Sequence, residues 1–148
     1  MQASDIMNKN PVCALPHMSI LEVAQMMVEH DCGSIPVVDN EETMKPLTGI
    51  VTDRDIVCRL VAKGKNPLAC TVDDCMTTDA VSVKPGDSIE TCARVMREHQ
   101  IRRVPVLDAD GVLVGLVTQA QLAKHLNQAQ VGALLQEISK KTAEASRR

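Results

Sequence analysis

The chain has 148 residues, a net charge of −3, and 45% apolar and 24% charged residues. These values are ordinary for a globular protein of one domain or two small ones. No apolar run approaches the ~20 residues that a membrane span needs. Nucleic-acid-binding modules present a basic surface, whereas this chain is acidic. We therefore expect neither a membrane nor a nucleic-acid partner.

The side-chain inventory is unusual because Phe, Trp and Tyr are absent, while Met occurs 8 times and Cys 6 times. Aliphatic and sulfur-containing side chains must therefore fill the core. Residues 1–11 lack the apolar core of a secretory signal, and the sequence has no Cys-x-x-Cys pair. We predict reduced structural thiols and a cytoplasmic location. The spacing does not support the alternative of a metal site built from His17, His30 and Cys13 or Cys32, so we predict no metal.

An internal duplication organises the chain, beginning at Asp5. An offset of 69 residues carries Pro-Val-Val-Asp at 36–39 onto Pro-Val-Leu-Asp at 105–108. After a contraction of three residues, Gly-Ile-Val-Thr at 49–52 aligns with Gly-Leu-Val-Thr at 115–118. One duplication with one short loop deletion explains these matches.

The first copy predicts the element order β-α-β-β-α. A short strand at 12–15 leads through a proline turn to a helix with an apolar stripe at positions i, i+3, i+4 and i+7. Ser19 and Glu22 form a capping-box-like start of this helix. The remaining predicted elements are strands at 35–38 and 47–51 and a second helix from Asp53.

The second copy predicts the same order. Its first strand covers 80–83, and Asp87 with Glu90 gives the capping-box-like start of its first helix. The remaining predicted elements are strands at 104–107 and 112–117, a helix from Gln119, and a C-terminal helix with the apolar stripe Val131, Leu134, Leu135 and Ile138.

The fold class predicted from this pattern is α+β. Neither copy of about 60 residues can cover both faces of its sheet alone, so we expect the two copies to pack as a pseudo-two-fold pair. The predicted divisions are a first motif at 1–62, a linker at 63–71, a second motif at 72–127 and a helical tail at 128–148.

The duplicated motifs resemble the cystathionine β-synthase (CBS) domain. The resemblance is carried by Ser-Ile-Pro-Val-Val-Asp at 34–39 with Gly-Ile-Val-Thr-Asp-Arg-Asp at 49–55, and by Arg-Val-Pro-Val-Leu-Asp at 103–108 with Gly-Leu-Val-Thr at 115–118. It implies a tandem pair whose clefts bind adenosine-containing ligands and which usually dimerises. In larger proteins such pairs regulate an attached enzyme, channel or transporter.

The segment Thr52-Asp53-Arg54-Asp55 lies at a predicted strand-to-helix junction. A helix start offers free N–H groups to a phosphate, and a carboxylate such as Asp55 can accept both hydrogen bonds of a ribose diol. The structural alternative is that Thr52 and Asp55 only cap the helix. The resemblance implies that Asp55 holds the ribose hydroxyls, with Thr52 and Arg54 also lining the site.

Two adjacent arginines, Arg102 and Arg103, precede the strand at 104–107. A solvated strand entrance with weak surface ion pairs is the structural alternative. The resemblance implies that a basic residue here reaches the phosphate of the ligand that the Asp55 carboxylate holds. The other residues expected to line that cleft are Val12, Cys13, Ser34, Ile35 and Pro36.

The second copy carries Thr118 and Gln121 where the first has Thr52 and Asp55. Gln still serves a capping box, but its side chain cannot accept both diol protons. We therefore expect one nucleotide per chain, in the Asp55 cleft, and a second cleft that is weak or empty.

The leading functional hypothesis is a ligand-sensing regulatory protein that binds an adenine nucleotide. AMP is the first candidate, with ATP, NAD or S-adenosylmethionine as alternatives and no required cofactor. An interaction module with vestigial clefts and a thiol- or metal-based redox sensor are the alternatives. No nucleophile and base pair is recognisable, so we predict no enzyme. The apolar tail stripe predicts a homodimer unless it folds back, and an unidentified enzyme or transporter is the expected regulated partner.

Overall fold

The computed structural model describes residues 1–40 and 46–146. Within these residues the chain alternates helices with two short sheets. The helices are α1 (Ala3–Ile6), α2 (Ile20–Glu29), α3 (Asp53–Arg59), α4 (Ile89–His99), α5 (Gln119–Ala123) and α6 (Gln128–Ser146). The strands are β1 (Ser34–Val38), β2 (Leu47–Thr52), β3 (Arg103–Leu107) and β4 (Leu113–Thr118). The predicted α+β class is confirmed. Part of the loop between β1 and β2 lies outside the described residues.

The two sheets each contain two strands, β1 with β2 and β3 with β4. The predicted strands at 12–15 and 80–83 shorten to single parallel bridges, Ala14 with Val37 and Val83 with Val106. Ala14 both donates to the Pro36 carbonyl and accepts from the Val38 amide at 2.9 Å. Pro11 and Pro16 flank this residue and have no N–H to extend the pairing.

The first long helix of each copy begins at a serine. The Oγ atoms of Ser19 and Ser88 each accept a backbone N–H three residues on, both at 3.1 Å. The predicted Asp87–Glu90 capping pair of the second copy is therefore wrong by one residue. Asp87 instead closes the preceding turn, because its Oδ2 accepts the Lys84 amide at 2.8 Å.

The chain forms two compact units, which do not coincide with the two sequence copies. The Asp55 unit comprises Pro11–Ala80 and Asp110–Leu113. The Gln121 unit comprises Met1–Asn10, Val81–Ala109 and Val114–Arg148. Each unit thus includes the segment that begins the other copy. An aliphatic and sulfur-containing core fills each one, as the absence of aromatics requires.

These exchanged segments pair with the second strand of the unit that receives them. In the Asp55 unit, Ile50 and Thr77 exchange two backbone hydrogen bonds of 2.9 and 2.8 Å. In the Gln121 unit, Asn8 and Leu116 do the same at 2.9 and 3.0 Å. A glycine lies beside each pairing, Gly49 in β2 and Gly115 in β4. A Cβ at Gly49 would collide with the Thr77 carbonyl oxygen, so only glycine admits the segment this closely.

The predicted C-terminal helix is confirmed as α6, which ends at Ser146. Leu134 and Ile138 are buried in the core of the Gln121 unit. Of the predicted stripe, Leu135 is exposed and Val131 is half-buried. The stripe folds back onto its own unit, so it gives no support to the predicted homodimer. Residues 147 and 148 of the predicted tail lie outside the described residues.

Candidate functional site

Thr52 and Asp55 cap each other at the start of α3. The Asp55 amide donates to Thr52 Oγ1 at 3.0 Å, and the Thr52 amide donates to Asp55 Oδ2 at 3.1 Å. This is a complete capping box, and it satisfies two backbone donors that the helix cannot satisfy itself. Thr52 and Asp55 therefore do cap the helix, as the structural alternative in the sequence analysis held.

Capping leaves one oxygen of the Asp55 carboxylate for another partner. Asp55 Oδ1 lies 3.7 Å from Nε of Arg59, one turn along α3. The Asp55 side chain is 14% exposed, so the carboxylate is sheltered but still reached by solvent. A carboxylate has about four acceptor positions, and the cap occupies one of them. Capping and acceptance of a diol are compatible at this residue.

The equivalent cap in the Gln121 unit uses up its acceptor. The Gln121 amide donates to Thr118 Oγ1 at 3.2 Å, and Gln121 Oε1 accepts from both the Thr118 amide at 2.8 Å and the Thr118 hydroxyl at 3.3 Å, which fills its two lone pairs. The other terminal atom of the Gln121 side chain is an NH₂ group, which only donates. The cap survives in the second copy, as predicted, and the spare acceptor oxygen does not.

The predicted lining residues of the first copy all lie in the Asp55 unit. Ser34 begins β1 half-buried and is in register with Thr52 of β2. Ile35 is fully buried in the core, and Pro36 beside it is buried too. From this strand Ser34 therefore offers the accessible side chain. Val12 and Cys13 are half-buried on the preceding segment, where Cys13 Sγ donates to the Pro11 carbonyl at 3.3 Å.

Two residues beside the cap were missed by the sequence analysis. The Asp53 amide donates to the Gly33 carbonyl at 2.9 Å, and a Cβ at Gly33 would lie 2.7 Å from Asp53 Oδ2. Gly33 thus makes room for a second carboxylate at the start of α3. Arg54, which was predicted to line the site, is exposed, and its amide donates to Asp53 Oδ1 at 2.8 Å. The sequence held one signal of this role of Gly33, because the equivalent position in the second copy is Arg102.

Arg102 and Arg103 lie in the Gln121 unit, at the start of β3. The Arg102 side chain is exposed, and that of Arg103 is half-buried. The Arg102 carbonyl accepts the Gln119 amide at 2.8 Å, which fixes the backbone at this point. Within residues 1–40 and 46–146, neither guanidinium forms an ion pair. The alternative of surface ion pairs therefore finds no support in that part of the chain.

Arg59, at the end of α3, is a third residue that the sequence analysis missed. Besides its ion pair with Asp55, its Nη1 donates to the carbonyls of Cys75 and Met76 at 3.4 and 3.2 Å. The spacing of four residues between Asp55 and Arg59 predicts a helical ion pair. The two carbonyl contacts are made to the exchanged segment, which is distant in sequence, so no local sequence pattern predicts them.

The buried thiols have the properties of structural residues. Burial raises the pKa of Cys75 and of Cys92 from 9.0 to about 11. Burial is the largest cause of the rise to this value, and nearby carboxylates contribute to it, chiefly Asp55 for Cys75 and Asp87 for Cys92. Reactive cysteines have a lowered pKa and solvent access, and these two have neither. In the part of the chain that the structure describes, no group of three or more His, Cys, Asp or Glu side chains is placed to hold a metal ion.

A shallow cavity of about 450 Å³ opens elsewhere on the Asp55 unit, near the start of α2. Its lining is Leu15, Pro16, His17, Met18, Glu22 and Asp39, none of which was predicted to hold the ligand. The residues that combine a spare carboxylate oxygen with capped backbone lie at α3 instead. None of the described helices is long and apolar enough to cross a membrane.

The chain contains two copies of one β-α-β-β-α motif, and a capped helix follows each Gly-x-Val-Thr strand. This arrangement is a tandem-repeat module, the class of protein that the sequence resembles. The CBS domain model matches residues 3–62 and 72–128. The chain belongs to the CBS domain family and carries the domain twice.

Similar proteins cover most of the chain. Hypoxic response protein 1 of Mycobacterium tuberculosis is 40% identical over 124 residues, which is 84% of each chain. A crystal structure of Hypoxic Response Protein I with two coordinated zinc ions covers 85% of this chain and 99% of its own, with a TM-score of 0.74 and 39% identity.

Two further crystal structures hold adenosine compounds. The CBS domain pair of protein MJ0100, in complex with 5′-methylthioadenosine and S-adenosyl-L-methionine, covers 84% of this chain and 94% of its own at a TM-score of 0.73 and 28% identity. CBSX2 in complex with AMP has the same coverage and identity at a TM-score of 0.70; CBSX2 has also been solved from Arabidopsis thaliana.

Proposed function

We propose that this protein is a ligand-sensing regulatory module that binds one adenosine-containing nucleotide per chain, with Asp55 accepting the ribose hydroxyls. The observation that carries the proposal is the difference between the two caps. Asp55 caps α3 through Oδ2 and keeps Oδ1 beside Arg59, whereas the single acceptor oxygen of Gln121 takes hydrogen bonds from both the amide and the hydroxyl of Thr118. A ribose diol needs an acceptor for two hydrogen bonds, and the first copy supplies it.

The similar structures support the ligand class. MJ0100 holds S-adenosyl-L-methionine and 5′-methylthioadenosine, and CBSX2 holds AMP. The adenosine unit is common to these compounds. We propose AMP as the ligand of this chain, with ATP, NAD or S-adenosylmethionine as the alternatives that the experiment below separates.

The residues around the ligand are part of the same proposal. Ser34 and Thr52 sit opposite each other in the β1–β2 register, and Val12 and Cys13 are half-buried in the same unit. The expectation that Arg102 and Arg103 contact the phosphate stays a prediction. Arg103→Met is expected to weaken binding of AMP and to leave binding of adenosine unchanged.

A regulatory role without catalysis fits the chemistry of these side chains. The Asp55 carboxylate caps α3 through Oδ2 and keeps Oδ1 beside the half-exposed Arg59 guanidinium, and the Cys75 and Cys92 thiols are buried with a raised pKa. These groups bind and position; they do not form a nucleophile and base pair. We propose that nucleotide occupancy controls the interaction with a separate enzyme or transporter, in the cytoplasm.

We also propose a homodimer, which is based on an exposed face of α2 and not on the C-terminal helix. Leu21 and Val28 are 47% and 84% exposed, and they lie seven residues apart on α2, hence on one face of that helix. Burial of this face against an equivalent face would be favourable. Light scattering at micromolar concentration is expected to give a dimer, and Val28→Glu a monomer.

The absence of aromatic residues makes the ligand directly visible. The chain has no Phe, Trp or Tyr, so it should be nearly transparent from 260 to 280 nm. Purified protein is expected to carry an adenine band near 260 nm, or to acquire one after incubation with nucleotide and desalting. Mass spectrometry of the heat-released supernatant identifies the compound. A spectrum that stays blank after AMP, ATP, NAD and S-adenosylmethionine would favour the interaction module with vestigial clefts.

A further inference from the structure

Arg59 touches both the proposed ribose acceptor and the segment that begins the second copy. Its Nε lies 3.7 Å from Asp55 Oδ1, and its Nη1 donates to the carbonyls of Cys75 and Met76 at 3.4 and 3.2 Å. Its five donors are held in a rigid plane, so one guanidinium can address these groups together where a lysine could not.

The contacts form a closed circuit through the Asp55 unit. Met76 is followed by Thr77, which exchanges two backbone hydrogen bonds with Ile50 in β2. β2 ends at Thr52, whose amide donates to the Asp55 carboxylate. Asp55 is therefore linked to the Cys75–Thr77 segment by two routes, one through β2 and one through Arg59.

Gly49, which lies beside this pairing, shows how closely the Cys75–Thr77 segment packs against β2. A Cβ at Gly49 would collide with the Thr77 carbonyl oxygen and would lie 3.5 Å from Met76 Sδ. Cys75 is 1% exposed and belongs to the core of the unit. The two carbonyls that Arg59 contacts therefore belong to packed backbone rather than to a loose loop.

We propose that Arg59 is a positioning residue that couples the state of the Asp55 carboxylate to the order of the Cys75–Thr77 segment. The charge on Asp55 holds the guanidinium, and the guanidinium holds the two carbonyls. A ligand diol that engages Asp55 Oδ1 competes with Arg59 for the same oxygen. Ligand binding therefore weakens the contact of Arg59 with the two carbonyls and lowers the order of the segment. The last step rests on the proposed function, whereas the coupling itself does not.

The coupling is tested without any nucleotide by a double-mutant cycle on amide hydrogen exchange at Thr77, whose N–H donates to the Ile50 carbonyl at 2.8 Å. Asp55→Asn keeps an oxygen for the Thr52 amide but removes the charge. It is expected to speed Thr77 exchange about two- to fivefold, the range of a partly exposed ion pair. In the Arg59→Met and Arg59→Gln backgrounds, Asp55→Asn should have no further effect. Additive effects of the two substitutions would overturn the coupling and leave Arg59 a merely structural residue.

A matched control is available on α4. Arg94 pairs with Glu98 at 3.2 Å, also four residues apart, on an exposed surface of the Gln121 unit. Arg94→Met should leave Thr77 exchange unchanged, and a comparable increase there would overturn the assignment to Arg59.

The ligand step is tested at saturating AMP, with occupancy confirmed by calorimetry. AMP is expected to speed amide exchange at Thr77 in the wild type, because it competes with Arg59 for Asp55. It is expected to leave that exchange unchanged in Arg59→Met, although both proteins bind AMP. Equal changes in both proteins would overturn this step. Absence of AMP binding to the wild type would count against the proposed function alone, because the cycle on Asp55 and Arg59 needs no nucleotide.

Discussion

Thr52 and Asp55 each cap the other, with hydrogen bonds of 3.0 and 3.1 Å between side chain and backbone. The residue that we assign to the ribose is thus also part of the fold. Removing its side chain would confuse lost binding with lost stability. Asp55→Asn, which keeps one capping oxygen, is the cleaner probe of binding.

The first prediction concerns the caps themselves. Thr52→Ala removes the hydroxyl that accepts the Asp55 amide, and it should lower the free energy of unfolding by about 1 kcal/mol, the usual value of an N-cap. Thr118→Ala removes the equivalent bond, which is 3.2 Å long, and should cost a similar amount. Urea denaturation measures both. A loss several-fold larger at Thr52 alone would show that its hydroxyl has a structural role beyond the cap.

The second prediction concerns the glycines that receive the exchanged segments. Gly49→Ala should destabilise the protein by about 1–3 kcal/mol, as overpacking does, because the new methyl meets the rigid Thr77 carbonyl. Gly115→Ala should cost less, since the flexible Met7 side chain is the nearest obstacle, with the Asn8 carbonyl oxygen at 3.0 Å.

Gly86 supplies the control for this series. A Cβ there would have no atom within 4 Å apart from those of its two chain neighbours, so Gly86→Ala should be close to neutral. Thermal or urea unfolding of the three variants gives the ranking. A Gly49→Ala variant as stable as the Gly86→Ala variant would contradict the close approach of Thr77.

The third prediction is a loss of stability in alkali. Burial raises the pKa of Cys92 from 9.0 to about 11 in the folded chain. Above pH 9 the unfolded chain releases the thiol proton while the folded chain keeps it, so this contribution is fully present below pH 9 and is lost as the pH rises to about 11. The slope within that window approaches 1.4 kcal/mol per pH unit for each such thiol.

Cys92→Ala isolates this effect from the titration of other groups. Urea unfolding at pH 8 to 11 should show a shallower decline for the variant than for the wild type. Parallel declines would mean that the Cys92 thiol ionises equally in the folded and unfolded chains.

The fourth prediction concerns the tail. Leu134 is fully buried in the core of the Gln121 unit, whereas its neighbour Leu135 is 42% exposed. Leu134→Ala should cost about 2–5 kcal/mol of unfolding free energy, the usual range for a buried leucine, and Leu135→Ala much less. Equal small losses in denaturant titrations would mean that α6 does not dock on the core.

Local patterns predicted most of the elements, because short-range chemistry determines them. The Gly-x-Val-Thr motifs placed the starts of α3 and α5 correctly at Asp53 and Gln119. The cap at Thr118 and Gln121 was also predicted from residue types alone. The one-residue error at Asp87 arose because Asp87 and Ser88 are both good caps, and the turn bond to Lys84 decides between them.

The exchange of segments was not predictable from one copy at a time. Ile50 pairs with Thr77, and Leu116 with Asn8, across separations that no periodicity encodes. The same holds for the contacts of Arg59 with the Cys75 and Met76 carbonyls. Burial of the tail stripe was likewise open in the sequence, since an apolar helix face can meet its own core or a second chain.

We propose that one nucleotide binds per chain and that Asp55, not Gln121, holds it. Titration calorimetry with AMP on the wild type, Asp55→Asn and Gln121→Ala tests this most directly, once circular dichroism shows that each variant is folded. A hydrogen bond to a charged group contributes roughly 1.5–3 kcal/mol, so Asp55→Asn should lower the affinity at least tenfold. Gln121→Ala should retain wild-type affinity and a stoichiometry of one per chain. Two equal sites per chain, or a greater loss in Gln121→Ala than in Asp55→Asn, would place the ligand in the other unit and contradict the account.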